Sequence, residues 1–119
     1  MADLVLVLAG GRRLGVPAAR VREVTQVGSV TPVPTAPGTV IGLTQVRGQI
    51  LPVLDLDRVR EDDPPRAARP GDPLLIVELG PVRAALLCDR VLGVEPEPEG
   101  VTLLDVGALF DELRKRVQP

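Results

Sequence analysis

The chain of 119 residues is 45% hydrophobic, yet Phe110 is its single aromatic residue. It contains no His, Trp or Tyr, one cysteine, and 14 basic against 16 acidic residues, for a net charge of −2. These numbers argue for one small domain with an aliphatic core, which favours strands. They argue against a broad cationic surface for nucleic acid, an internal disulfide, and most acid–base or metal chemistry.

The first element is a predicted β-hairpin. The apolar run at residues 4–9 and the shorter run at residues 13–16 flank Gly10-Gly11, a pair that accepts the positive φ of a tight turn. The first run is too short to span a bilayer and follows Asp3 instead of a cationic segment. We therefore expect no direct membrane insertion and a cytoplasmic location.

A short helix is predicted near residues 17–24, because Pro17 suits the first helical position and Val21 and Val24 fall on one face. The proline-rich stretch VGSVTPVPTAPGT then predicts an extended edge segment followed by a loop. Two strands follow, VIGLTQV and QILPVLDL, with a bend at Arg47-Gly48.

Residues 61–73 predict an exposed loop, because charged residues, four prolines and a glycine follow one another there. The loop separates two half-repeats, residues 4–60 and residues 74–110. Residues 4–24 align on residues 74–94 without a gap at an offset of 70, but Asp55 and Asp105 are only 50 apart. The second half is therefore 20 residues shorter. It lacks a counterpart of VIGLTQVRG, and we interpret the chain as a single domain with a truncated second half.

The C-terminal segment VGALFDELRKRV predicts an amphipathic helix with Asp105 as its N-cap. Its apolar positions form one stripe, and its basic residues lie near the end, where the helix dipole favours them.

The candidates for chemistry are few. Asp55 and Asp57 could form a carboxylate pair or a magnesium site, but capping at the end of a strand explains them better. The GGRRLG segment lacks the spacing of a phosphate-binding loop and joins two strands. Cys88 lies in an apolar run, which is typical of a buried, unreactive thiol. We expect no enzyme activity, no cofactor and no metal.

Glu23 and Arg47 are the more informative pair. Both are charged residues in apolar surroundings, and a charge in such a place is tolerated best when it is paired. One interpretation is an ion pair that braces a shallow groove bordered by Val21, Val24 and the strand around Gly42, suited to a helical partner. The alternative is that both side chains simply point to solvent.

The segments RVREV, GLTQVRGQILPVLDL, LLIVELG and DRVLGV together resemble the CheW-like domain of bacterial chemosensory adaptors and of the regulatory end of their histidine kinases. The resemblance runs from about residue 4 to residue 110. It implies a mainly β fold, a pair of SH3-like β-barrels, and a non-enzymatic adaptor that binds chemoreceptor cytoplasmic tips and scaffolds signalling arrays. It also implies a receptor-binding surface, made by Val21, Glu23, Gly42, Arg47 and Gly48.

One departure from the family pattern concerns the second half. Where family members carry a strand pair, this chain has only EPEPEG. We therefore expect an incomplete second barrel, and we expect the regulatory domain of a CheA-type histidine kinase to bind weakly or not at all. The alternative function is a receptor-binding regulator that does not couple to the kinase, or that links receptors to another protein.

Overall fold

The computed structural model describes residues 3–32, 40–56, 68–96 and 98–117. Within these residues the fold is mainly β, with one short 3-10 turn and one α-helix. Its elements are β1 (Asp3–Ala9), β2 (Arg12–Pro17), the 3-10 turn (Ala18–Arg20), β3 (Val21–Gln26), β4 (Val40–Val46), β5 (Gln49–Asp55), β6 (Pro73–Leu79), β7 (Val82–Leu87), β8 (Arg90–Pro96), β9 (Thr102–Leu103) and α1 (Val106–Val117).

The strands form two sheets, with the orders β8-β1-β2-β9 and β3-β6-β7-β5-β4. Strands β1 and β2 begin 70 positions before β6 and β7. The third strand of each half pairs with the first strand of the other half, β3 with β6 and β8 with β1. Each half therefore completes the sheet of the other.

The main core lies between the two sheets. It is built from alternate residues of β1, β2, β5, β6 and β7, and the first turns of α1 close it with Val106 and the fully buried Phe110. A second core lies on the other side of the five-stranded sheet, around Leu74, Ile76 and Leu87. Strand β6 is therefore buried on both faces, which explains why its apolar residues are consecutive rather than alternating.

An isolated antiparallel β-bridge between Thr31 and Leu43 closes the five-stranded sheet into a barrel. The amide of Thr31 donates to the carbonyl of Leu43 at 2.8 Å, and the amide of Leu43 donates back to Thr31 at 2.8 Å. The buried hydroxyl of Thr44 donates to the carbonyl of Ser29 at 2.7 Å. Gly42 lies next to this β-bridge, where an added Cβ would clash with the carbonyl of Thr31.

The four-stranded sheet has no counterpart of β4 among the described residues. In both sheets the last strand of a half pairs in parallel with a central strand, β5 with β7 and β9 with β2. Beyond β5 the five-stranded sheet continues with β4, whereas β9 is the edge of its sheet and Leu103 is 61% exposed. The predicted incomplete second barrel is confirmed.

The predicted short helix near residues 17–24 forms only at its start, as a single 3-10 turn. Only Ala18–Arg20 form a 3-10 turn, and Val21–Gln26 form strand β3. Val21 and Val24 have a spacing that fits a helix, but their β-branched side chains also suit a strand, and antiparallel pairing with β6 decides the outcome. A one- or two-turn helix has little stability of its own to oppose that pairing.

The predictions for the C-terminal region agree with the structure. Helix α1 spans Val106–Val117, and the amide of Ala108 donates to Oδ1 of Asp105 at 2.9 Å, so Asp105 is the N-cap.

Cys88 is fully buried, as expected. No helix in the described part of the chain has the length and apolar character needed to cross a membrane.

The predicted loop at residues 61–73 can be followed only in part, because residues 61–67 lie outside the described ranges. Arg69 to Gly71 are exposed, and β6 already begins at Pro73. The end of the loop is fixed to Val27, whose amide donates to Asp72 and whose carbonyl accepts from Gly71, both at 2.8 Å.

Candidate functional site

Strand β3 and the turn between β4 and β5 bring Glu23 and Arg47 together. The Nε of Arg47 donates to both carboxylate oxygens of Glu23 at 3.1 Å. The Arg47 side chain is 80% exposed and that of Glu23 is 24% exposed. The predicted ion pair is therefore formed, but Arg47 stands at the surface and not in an apolar setting.

The turn that carries Arg47 has an unusual backbone. Arg47 has φ 49° and Gly48 has φ 81°, a combination typical of the two-residue type I′ turn of a hairpin. Among the described residues Arg47 is the one non-glycine residue with positive φ. Asn is the usual choice at that position, and another side chain there costs about 1–2 kcal/mol. The turn thus presents an arginine at an energetic cost.

The ion pair borders a cavity of 380 Å³. Its apolar lining comes from Val46, Leu51 and Ile76, and its rim carries three arginines. The complete lining is Arg22, Glu23, Val46, Arg47, Gln49, Leu51, Ile76 and Arg83. An apolar floor with a cationic rim suits an apolar side chain accompanied by a carboxylate.

The structure does not bring all the predicted site residues into this cavity. Glu23 and Arg47 line it, whereas Gly48, the next residue of the turn, does not. Val21 faces the opposite side of β3, where it packs against the core between the sheets. Gly42 lies next to the Thr31–Leu43 β-bridge and does not line the cavity. The contribution of Gly42 is to let the barrel close.

The sequence reasoning missed a second polar cluster beside the same cavity. Arg83 donates from Nε to Oε2 of Glu78 at 3.0 Å and from Nη1 to Oε1 of Gln49 at 2.7 Å. Glu78 and Arg83 are directly opposite each other in the β6–β7 hairpin. A two-residue turn at Gly80-Pro81 implies that register, so the sequence did carry a signal for this pair.

The two aspartates weighed as catalytic or metal-binding candidates have different outcomes. Asp55 is buried as the last residue of β5, and Asp57 lies outside the described residues. Among the residues that the structure describes, no group of three or more His, Cys, Asp or Glu side chains could hold a metal ion.

Comparison with known proteins agrees with this architecture. Protein FrzA of Myxococcus xanthus is 39% identical over 89 residues, which cover 75% of this chain and 55% of that protein. The crystal structure of the scaffolding protein TtCheW from Thermoanaerobacter tengcongensis matches with a TM-score of 0.67 and 28% identity, over 82% of this chain and 63% of that one. The chain thus spans between about half and two thirds of the length of these relatives. The sequence profile of the CheW-like domain matches residues 3–99, and this protein therefore belongs to the CheW-like domain family.

Proposed function

We propose that this protein is a non-enzymatic adaptor of a chemotaxis-type signalling system, which binds the cytoplasmic tip of a chemoreceptor through the Glu23–Arg47 site. One observation carries the proposal: an exposed arginine occupies a left-handed turn position and is oriented by a salt bridge. A strained backbone conformation at an exposed residue is often kept for function. The likeness to a solved scaffolding protein supports the same assignment.

The cavity indicates the kind of partner surface that the site binds. Its floor is apolar, and of its three rim arginines, Arg47 and Arg83 already contact carboxylates of this chain. A receptor helix that presents one apolar side chain next to an acidic one would fill the floor and approach Arg22. Under this proposal the protein acts in the cytoplasm, by binding alone and without catalysis.

Arg47→Ala tests the proposal. Removing the arginine leaves Glu23 without its partner and takes away a rim contact, so receptor affinity should fall by about 1–3 kcal/mol, roughly 5- to 150-fold in Kd. Affinity is measured by calorimetric titration with a purified receptor cytoplasmic tip, and circular dichroism checks the fold. Arg13→Ala, at an exposed arginine of β2 in the other sheet, is the matched control and should bind normally. Unchanged affinity of Arg47→Ala would refute the assignment.

A second proposal concerns the kinase. In the described part of the chain, the four-stranded sheet ends at the two residues of β9, without a counterpart of the strand β4 that continues the other sheet. The resemblance to CheW-like domains implies that the additional strands of this half contribute to the surface that joins adaptor and kinase. We therefore propose a regulator that occupies receptors without coupling them to a CheA-type kinase, or that links them to another protein. Micromolar or tighter binding to the regulatory domain of such a kinase would contradict this proposal.

A further inference from the structure

Strands β5 and β7 separate near the turn that carries Arg47. Their parallel backbone pairing is confined to Val53–Asp55 of β5, although β5 begins four residues earlier at Gln49. Among the residues that the structure describes, the first part of β5 is therefore paired through its backbone only with β4. A cleft of 320 Å³ opens beside it, lined by Gln49, Ile50, Leu51, Pro81 and Arg83.

The Arg83 side chain spans this cleft. Its Nε is held by Glu78 on the neighbouring strand at 3.0 Å, and its Nη1 reaches across to Oε1 of Gln49 at 2.7 Å. The guanidinium group is a rigid, planar fork, so fixing one nitrogen also fixes the direction of the others. Arg83 therefore connects β7 to the start of β5 at the point where the backbone ladder has ended.

We propose that Arg83 and Gln49 are positioning residues for Arg47. Gln49 follows the Arg47-Gly48 turn directly, so the turn is held from β3 by Glu23 and from β7 by Arg83. Without the second contact, the start of β5 and the turn are free to move away from β7, and Glu23 alone then holds Arg47 in its binding geometry. This inference rests on the proposed receptor site and adds to it the residues that keep the site in its binding geometry.

The expected effect is a loss of affinity that operates through Arg47. Gln49→Leu removes the acceptor and Arg83→Met removes the donor, and each should weaken binding to the receptor tip roughly 3- to 10-fold. Gln49→Glu keeps an acceptor oxygen and should retain more affinity than Gln49→Leu. Arg83→Met should cause no further loss of affinity when Arg47 is already replaced by Ala, because Arg83 then has no Arg47 side chain to position.

A spectroscopic measurement separates positioning from a general structural effect. In ¹H–¹⁵N spectra of the free protein, the Arg47 Nε–H should exchange faster with water in Arg83→Met than in the wild type. Arg13→Met, at the position 70 residues before Arg83, is the control and should leave that signal unchanged.

Two results would overturn the inference: an unchanged Arg47 Nε–H signal in Arg83→Met, or an equal loss of affinity from Arg83→Met with and without Arg47. Failure of the wild-type protein to bind the receptor tip would refute the proposed function instead. The positioning claim would then still be decided by the Arg47 signal in the free protein.

Discussion

Gly42→Ala should destabilise the barrel, because the structure leaves no room for a side chain at this position. The added Cβ would lie 2.9 Å from the carbonyl carbon of Thr31 and closer still to its oxygen. Relief of that clash moves Thr31 away from Leu43 and breaks their two 2.8 Å hydrogen bonds. Each bond contributes about 0.5–1.5 kcal/mol. Ser29, two residues before Thr31, moves with it, so the buried Thr44 hydroxyl loses its acceptor, the Ser29 carbonyl, at a cost of about 1–3 kcal/mol. Taken together, these losses should lower the free energy of unfolding by about 2–6 kcal/mol.

Urea unfolding followed by far-UV circular dichroism measures this change. The matched control is Gly28→Ala, in the same closing segment, where an added Cβ meets no atom within 4 Å and φ is not in the left-handed region. That variant should keep its stability or gain up to about 1 kcal/mol from the reduced freedom of the unfolded chain. Equal unfolding midpoints for the two variants would show that the Thr31–Leu43 β-bridge beside Gly42 does not hold the barrel closed.

Three further predictions concern the turn, the helix and metal ions. Arg47→Asn suits the left-handed turn but loses the salt bridge, so the free energy of unfolding should change by less than about 1 kcal/mol, whereas receptor affinity in calorimetric titration should fall roughly 5- to 150-fold, as for Arg47→Ala. Asp105→Ala removes the N-cap of α1 and should lower the free energy of unfolding in urea by about 1 kcal/mol. Magnesium or calcium should leave the melting temperature unchanged, because an ion that does not bind the native state cannot stabilise it; a clear rise would restore the metal-site interpretation of Asp55.

Local patterns in the sequence were sufficient for several elements. The hairpin at Gly10-Gly11 follows from two glycines between apolar runs, and α1 follows from its apolar stripe and from Asp105 at its start. The Glu23–Arg47 pair was inferred from two charges in apolar surroundings, and the pair forms although Arg47 is exposed.

Features decided by distant parts of the chain were harder to predict. Val21–Gln26 has a spacing that fits a helix, and it becomes a strand because β6, far along the sequence, pairs with it. The cleft spanned by Arg83 arises because the parallel pairing of β5 with β7 stops at Val53. No local pattern states where such a ladder ends, so the Gln49–Arg83 contact became visible only in three dimensions.

The central claim, that a receptor helix binds beside Glu23 and Arg47, is tested most directly by mapping the contact on the protein itself. The ¹⁵N-labelled protein is titrated with an unlabelled receptor cytoplasmic tip, and ¹H–¹⁵N spectra are recorded at each step. We predict that the largest shift changes occur at Glu23, the Arg47-Gly48 turn and Gln49, while β8 and β9 change little. Changes concentrated on β8 and β9, with the Glu23 and Arg47 signals unmoved, would contradict the account.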